Sequence, residues 1–284
     1  MVKIMKKGNL ILGYASWGFR ETPLEKQLEI VHRDGLDLLE LGIHGHENDF
    51  LQLSPSDAQI ETVKGLFKKY GVKFLCASTG NDFTVADPKS VDKSVSEVKN
   101  VIDTAQKLGI KFLRIFAGFS PVKEVDETRF KKLLSALNEV ADYAEKAGVT
   151  PVIETHGGVN GYSDGVEHFA SVSTDLTTLK KIIAGVKDSV YLNFDPANLS
   201  AVGVKDLVAY YKEIESRVKY LHLKDFKRVG EHRILPTYLG NGITDYTDLL
   251  PILMQKDMPA LFEYEPVEDI EFGLKKCLDF TLNF

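Results

Sequence analysis

The sequence predicts a (β/α)8 TIM barrel that forms one domain over residues 1–284, with its active site at the carboxyl ends of the strands. Short apolar runs alternate eight times with longer amphipathic segments, and the runs are rich in β-branched and aromatic residues. No G-x-G-x-x-G turn follows the first run. A doubly wound open sheet, the alternative, usually has fewer strands and such a glycine-rich turn.

Length and composition are those of a globular protein. The 284 residues are 44% hydrophobic and 27% charged, which is ordinary for a soluble domain. The net charge of −6 argues against a nucleic-acid partner, which normally requires a basic face. Cys76 and Cys277 are the only cysteines, so a reducing cytoplasm fits best. No stretch approaches the roughly 18 apolar residues of a membrane span. We therefore expect no membrane partner, and the sequence leaves a homo-oligomer open.

Eight apolar runs are the predicted barrel strands. In chain order they read NLILGYA, LDLLELG, VKFLCAST, KFLRIFAG, TPVIET, VYLNFD, VKYLHLK and PALFEYE. The first run follows a lysine-rich start, but LILGYA is too short for a signal peptide and no small-residue cleavage site follows it. Barrel strands are covered on both faces, which explains why the runs are almost continuously apolar.

Start and stop signals predict helices between these runs. Thr22-Pro23 and Ser54-Pro55 each combine a capping residue with a first-turn proline and an acid shortly after it. Asp87-Pro88 predicts the start of another helix. A 3.6-residue apolar period over residues 126–146 predicts a long helix that Gly148 ends.

The last four predicted strands each end in a side chain that can bind a metal. Consecutive barrel strands are neighbours, and their carboxyl ends form the rim where active sites are built. Charged groups in buried strands are costly unless they are paired or bind metal. Three carboxylates and one imidazole at one point would require a cation, so we expect one divalent ion: Mn²⁺, Mg²⁺ or Co²⁺, with Zn²⁺ as an alternative. The four residues are Glu154, Asp195, His222 and Glu263.

Two assignments near this rim have alternatives. Glu265 shares the strand parity of Glu263, but it precedes Pro266 and is expected to lie in the loop, so Glu263 is the predicted ligand. Arg114 either holds an anionic substrate group or pairs with a neighbouring carboxylate such as Glu40.

The same segments resemble a known family. IETHGG, NFDPANL, HLKD and FEYEP are similar, in order and spacing, to the motifs of strands five to eight in the xylose isomerase-like TIM barrel family, particularly its sugar phosphate isomerase/epimerase group. LRIFAGF resembles the fourth-strand segment, and LGNGITDY resembles the glycine loop before the last helix. The resemblance covers essentially the whole chain. It implies a single catalytic divalent ion held by the four rim residues, with Glu154 and Glu263 as acid and base.

The activity implied is that of a divalent-metal-dependent sugar isomerase or epimerase. Such an enzyme removes a proton beside a carbonyl, and its metal stabilises the resulting ene-diolate while two carboxylates remove and return the proton. Two alternatives stay open: a metal-dependent dehydratase of a keto-cyclitol or shikimate-like ring, and a non-catalytic sugar-binding barrel. AP endonucleases share the barrel but need three zinc ions and extra histidines. His44 and His46 resemble part of that set, yet the acidic net charge argues against DNA.

Five further residues are predicted to contact a small sugar substrate. Lys224 either orients a sugar oxygen or pairs with a rim glutamate, and His156 either supports the metal ligands or contacts the substrate. Trp17 is predicted to be a wall of the sugar pocket, with packing of a lid as the alternative. Ketose 3-epimerases of the family usually carry histidine at the position of Asn198, whereas Arg228 matches their substrate arginine. They also favour a glutamate where this chain has an asparagine six residues after the fifth-strand glutamate.

Overall fold

The structure of the protein, a computed structural model, describes residues 5–45 and 51–284. Eight parallel strands form the closed barrel that the sequence predicts, and each lies at one of the eight apolar runs. The last strand pairs with the first from Pro259↔Ile11 to Phe262↔Tyr14, which closes the ring. The barrel strands are β1 Leu10–Tyr14, β2 Leu38–Gly42, β3 Lys73–Ser78, β4 Phe112–Ile115, β5 Thr150–Glu154, β6 Tyr191–Phe194, β7 Val218–Leu223 and β8 Pro259–Phe262.

Every barrel strand is followed by at least one helix that packs on the outside of the ring. Asp87 and Asp126 cap two of these helices through their side chains, at the helix starts that the sequence predicts. Gly148 has a positive φ of 70° and ends the second of them, because only glycine adopts this conformation without strain. The helices are α1 Leu24–Arg33, α2 Asp57–Tyr70, α3 Pro88–Leu108, α4 Glu127–Ala147, α5 Leu176–Gly185, α6 Pro196–Ala201, α7 Leu207–Ile214, α8 Leu249–Leu253 and α9 Ile270–Asn283.

Two predicted helix starts were wrong. Pro23 takes the N-cap position of α1, so Thr22 is not the cap. α2 begins at Asp57 because Ser56, and not Ser54, is its cap. The Ser56 backbone N–H donates to the Gln59 side chain at 2.9 Å while the Gln59 backbone N–H donates to Ser56 Oγ at 3.3 Å. This reciprocal pair satisfies two backbone donors at once, which explains why the helix starts there.

The barrel interior contains a small apolar layer directly beneath the rim. Leu38, Val152, Tyr220 and Leu261 are members of this layer and are almost fully buried. Each precedes a polar residue of the rim by two positions, so both side chains of each pair point into the barrel. The layer thus supports the polar side chains above it from below.

A second, four-stranded sheet lies above the rim and was not predicted. Two insertions, one after β5 and one after β7, each form a hairpin, and the hairpins pair with each other through Ile234↔Val166. We call this the cap sheet; its strands are Gly158–Tyr162, Gly165–Phe169, Asp225–Arg228 and Ile234–Thr237.

The remaining elements are short. Lys6–Lys7 pairs antiparallel with the start of β1. Single turns of 3-10 helix lie at Trp17–Phe19, Val122–Glu124 and Glu215–Arg217. Both cysteines are free and buried. Within the described residues, no helix has the length and apolar character needed to cross a membrane.

Candidate active site

Four side chains at the carboxyl ends of β5 to β8 meet at one point inside the rim. Each offers one atom that could bind a metal, and these atoms lie within 4.8 Å of one another. All four side chains are buried. We call this group the rim cluster; its members are Glu154, Asp195, His222 and Glu263, the residues that the sequence predicts to converge.

His222 lies between two carboxylates of the cluster. Its Nδ1 is 3.7 Å from Glu154 Oε1 and 3.7 Å from Glu263 Oε1, and this buried atom has no hydrogen-bond partner among the described residues. Burial opposes protonation of the ring, but attraction to Glu263, Glu40 and Glu154 raises the pKa of His222 well above its ordinary value. An imidazole nitrogen without a partner, facing two carboxylates, has the geometry of a metal ligand.

Glu40 on β2 fixes the other side of the His222 ring. Its Oε2 lies 3.0 Å from His222 Nε2 and also accepts a hydrogen bond from the Tyr220 hydroxyl. Its Oε1 accepts from Ser16 Oγ at 3.1 Å. Burial opposes ionisation of Glu40, but His222 and Arg114 hold its pKa well below the usual range. The carboxylate therefore stays charged and holds a proton on Nε2, so that a metal ion replacing the other ring proton would meet Nδ1, which faces the cluster.

Asp195 belongs to the rim cluster and also caps a helix. Its Oδ1 caps α6 by accepting from the backbone N–H of Asn198 at 3.0 Å, while Oδ2 lies 3.4 Å from Lys224 Nζ. Burial raises the pKa of Asp195 to about 7, an effect that Lys224 opposes and that Glu154 and Glu263 reinforce.

Asn198 holds two cluster carboxylates and does not line the cavity above them. Its Nδ2 donates to Glu154 Oε1 at 3.1 Å and to Asp195 Oδ2 at 3.0 Å, and the side chain is fully buried. In this structure the amide of Asn198 positions the carboxylates, and its predicted contact with a substrate stays a prediction.

Arg114 on β4 pairs with Glu154, not with Glu40 as one reading of the sequence had it. Arg114 Nε lies 3.2 Å from Glu154 Oε2, and both side chains are buried. Burial would raise the pKa of Glu154, but His222 and Arg114 together hold it well below its usual range. Glu154 is thus an ionised carboxylate anchored on one side.

Lys224 anchors the opposite carboxylate. Its Nζ donates to Glu263 Oε2 at 2.7 Å and lies 3.1 Å from Glu265 Oε1. Glu263 and His222 belong to the cluster, whereas Glu265 contacts it only through Lys224. This position agrees with the choice of Glu263 over Glu265.

A cavity of about 420 Å³ opens above the rim cluster. Trp17, His156 and Lys224 line it, as expected for residues predicted to contact a substrate. Trp17 is 37% exposed and packs edge-on against His44, with ring centroids 6.1 Å apart. This volume lies in the range of about 300–1,000 Å³ that is typical of small-molecule pockets.

A continuous row of rings forms one wall of the cavity. Successive ring centroids lie 4.7, 5.4, 6.2 and 5.0 Å apart. The Arg114 guanidinium stacks on the first ring at 4.3 Å, and Lys224 Nζ lies 5.5 Å from the last. The wall therefore runs between the two cations that anchor the glutamates. We call it the aromatic arc; its members are Phe116, Phe119, His156, His168 and Phe226.

Arg228 lies outside this cavity. It is exposed on the cap sheet, donates to the Glu231 carbonyl at 2.9 Å and lines a separate surface depression. Its predicted contact with a substrate has no support from this position and stays a prediction. His46 lies outside the described residues, while His44 lines the cavity and its Nε2 is 3.2 Å from Ser78 Oγ.

The donor set of the rim cluster fits a divalent ion. Three carboxylates and one imidazole are buried together. His222 Nδ1 has no hydrogen-bond partner among the described residues and faces two of the carboxylates. Mostly oxygen donors suit Mn²⁺, Mg²⁺ or Co²⁺, and Zn²⁺ also accepts such a set.

Sequence reasoning missed Glu40 as a support of His222 and missed the cap sheet. Glu40 had a visible signal, since it is the one charged residue within the apolar run LLELG. Its partner was not visible because β2 and β7 are far apart in sequence. The sequence signal for the cap sheet was only a weak alternation of polar and apolar residues in short, half-exposed strands.

Comparisons with known proteins agree with this architecture. The probable endonuclease 4 of Thermotoga maritima is 30% identical over 242 residues, covering 78% of this chain and 76% of that protein. The inosose isomerase of Bacillus velezensis is 24% identical over 180 residues, covering 63% and 60%.

Solved structures show the same fold at lower identity. The probable 3-DHS dehydratase AsbF of Bacillus anthracis superposes with a TM-score of 0.77 at 14% identity, covering 98% of this chain and 99% of that one. The D-allulose 3-epimerase of Methylomonas sp. gives 0.74 at 18% identity, with the same coverage. The family described as xylose isomerase-like TIM barrel matches residues 28–281. The chain therefore belongs to the xylose isomerase-like TIM barrel family.

Proposed function

We propose that the protein is a divalent-metal-dependent sugar isomerase or epimerase that works by removing a proton beside a carbonyl. One observation carries the proposal: two anchored glutamates, Glu154 and Glu263, flank His222 Nδ1 at 3.7 Å each, at the base of a cavity. A divalent ion held by the rim cluster would polarise a substrate carbonyl and offset the charge that develops as the proton leaves.

The two glutamates differ in their anchors, which suits them to exchange one proton. Glu154 is held by Arg114 and Asn198, while Glu263 is held by Lys224. One carboxylate takes the proton from carbon, while the other, which enters the step protonated, gives its proton to the same or the adjacent carbon; exchange with water then restores both groups. Their anchors keep both carboxylates in place without further movement, which favours catalysis.

Similar proteins support this class of chemistry and also support a second candidate function. The curated inosose isomerase and the solved D-allulose 3-epimerase support an isomerase or epimerase. The solved dehydratase AsbF supports a metal-dependent dehydratase of a keto-cyclitol or shikimate-like ring, which would begin with the same proton removal. A non-catalytic sugar-binding barrel is the third reading, and the anchored pair of glutamates at the base of the cavity weighs against it.

The endonuclease 4 relative calls for a direct test on DNA. Within residues 5–45 and 51–284, the rim cluster is the one group of metal-type ligands, and it holds a single histidine. The net charge of −6 also disfavours binding to a phosphate backbone. We therefore expect no cleavage of duplex DNA that carries an abasic site, with or without added Zn²⁺.

The test is proton exchange in heavy water. Purified protein with Mn²⁺ or Co²⁺ is incubated with a panel of ketoses and keto-cyclitols, and deuterium on carbon is followed by NMR. An epimerase labels the inverted centre, an isomerase labels the carbon that receives the hydrogen, and a dehydratase leaves an unsaturated product.

Two matched variants identify the residue responsible. Glu263→Gln keeps the shape but removes the base, so exchange should fall at least about 100-fold. Glu265→Gln changes the other carboxylate on Lys224 and should keep most of the exchange. Equal exchange by the wild type and by the Glu154→Gln and Glu263→Gln variants would refute the two-glutamate mechanism, and cleavage of abasic DNA would favour the endonuclease reading.

A further inference from the structure

We infer that the substrate is a sugar ring that carries an aromatic substituent besides the carbonyl that the proposed reaction needs, as in an aryl glycoside with a keto group on its ring, and is not a free monosaccharide. This inference rests on the proposed function, because it places the sugar ring on the rim cluster. The evidence is the distribution of polar and apolar side chains over the walls of the cavity.

The charged groups of the cavity are gathered at its base and are already paired. Arg114 pairs with Glu154 at 3.2 Å, and Lys224 pairs with Glu263 at 2.7 Å and Glu265 at 3.1 Å. These five residues are all the charged side chains that line the cavity among the described residues. They can meet the hydroxyl and carbonyl groups on one edge of a sugar ring.

The opposite wall comes from the cap sheet and is apolar. Val159, Val166, Phe226 and Pro236 all line the cavity from this sheet. The aromatic arc continues that wall toward β4. Away from the charged base, the described lining side chains with hydrogen-bonding atoms are Trp17 and three histidines.

In two of these histidines Nδ1 is not available to a sugar hydroxyl, which leaves each ring only its Nε2. His156 Nδ1 is engaged with the Gly157 carbonyl, and His168 Nδ1 is buried. The hydroxyl groups of a free monosaccharide point in all directions around the ring, and those that lose water without a partner would weaken binding. An aromatic substituent instead gains free energy when it leaves water for such a wall.

The substrate is therefore expected to lie with its sugar edge on the rim cluster and its aromatic ring between the cap sheet and the arc. The cap sheet offers a matched pair of positions to check this orientation. Val159 lies in a cap-sheet strand and Val229 directly follows one; they are 44% and 45% exposed, and of these two only Val159 lines the cavity.

The experiment compares phenyl and methyl glycosides of glucose, galactose and xylose by titration calorimetry on Mn²⁺-loaded protein; they lack the ring carbonyl and therefore report binding without turnover. Each pair shares its sugar and differs only in the substituent, and both anomers are included. For the preferred sugar, we expect the phenyl glycoside to bind at least about 30-fold more tightly, with a more negative heat-capacity change. Val159→Asn should weaken phenyl glycoside binding by roughly 5-fold and leave methyl glycoside binding unchanged, because it removes apolar contact. Val229→Asn should change neither.

Two outcomes of this experiment would contradict the inference. If no pair shows a preference for phenyl, whether both glycosides bind equally or neither binds, the inference is overturned. Equal effects of the two valine variants would also overturn it. None of these measurements depends on turnover, so they leave the deuterium-exchange test of the proposed function independent.

Discussion

Replacing Glu40 tests whether the hidden partner of His222 controls metal binding. In Glu40→Gln, one carboxylate oxygen becomes an NH₂ group. If that group faces His222 Nε2, which is 3.0 Å from Glu40 Oε2, two donors oppose each other. The ring must then carry its proton on Nδ1, the atom that faces the cluster.

The size of the effect follows from the bond that is lost. A hydrogen bond to a charged group contributes about 1.5–3 kcal/mol, and partners of metal-binding histidines typically change metal affinity by about 10–100-fold. We therefore expect Mn²⁺ or Co²⁺ affinity to fall within that range, measured by titration calorimetry. The melting temperature without metal records any general loss of stability.

Asp34→Asn is the matched control. Asp34 also accepts a hydrogen bond from a buried tyrosine, Tyr14, at 2.8 Å, but it lies away from the rim cluster. It should lower stability and leave metal affinity unchanged. If Glu40→Gln binds Mn²⁺ as tightly as the wild type, Glu40 does not set the His222 tautomer and the reasoning fails.

Three further outcomes are expected. His222→Ala should lower metal content, measured by elemental analysis, and abolish the rise in melting temperature that Mn²⁺ gives the wild type; an unchanged rise would place the metal elsewhere. Burial, together with His156 and Lys224, lowers the pKa of His168 to about 3. His168 therefore stays neutral in the folded protein at pH 5, whereas in the unfolded chain it takes up a proton below about pH 6.5. Stability should therefore fall by about 2 kcal/mol from pH 7 to pH 5 through this group, and denaturant titrations of His168→Gln should show a smaller fall. Gly118→Ala should cost about 2 kcal/mol or more in the same titrations, because φ is 150° there and a Cβ would lie 2.2 Å from Thr84 Oγ1; an unchanged midpoint would contradict this packing.

The barrel and the rim cluster could be predicted because both leave local signals. A barrel strand is a short apolar run wherever it lies, and a carboxylate at its end interrupts that run. Glu154 and His222 were therefore visible without knowledge of their neighbours. Ser56, by contrast, became the cap of α2 because of its exchange with Gln59, a choice between two nearby serines that the position of Pro55 alone did not decide.

The partners inside the barrel could not be predicted, for a physical reason. Whether Arg114 meets Glu40 or Glu154 depends on the register of neighbouring strands, such as Arg114↔Val152 between β4 and β5. Which side chains contact each other across the barrel interior also depends on how the barrel closes. The cap sheet likewise depends on one long-range pair, Ile234↔Val166, that no local pattern specifies.

The cap sheet divides the candidate site into two structural parts. The groups proposed to move protons belong to the closed ring, whose geometry tolerates little change, whereas the apolar wall belongs to two hairpins that hydrogen-bond to each other and form a sheet of their own. Mutations in the hairpins can therefore accumulate, or a whole hairpin can be exchanged, while the chemistry below is inherited unchanged. Relatives that keep the four ligands but differ in these hairpins are expected to perform a common reaction on different molecules, and grafting one hairpin pair onto another ring would transfer the preference without the catalyst.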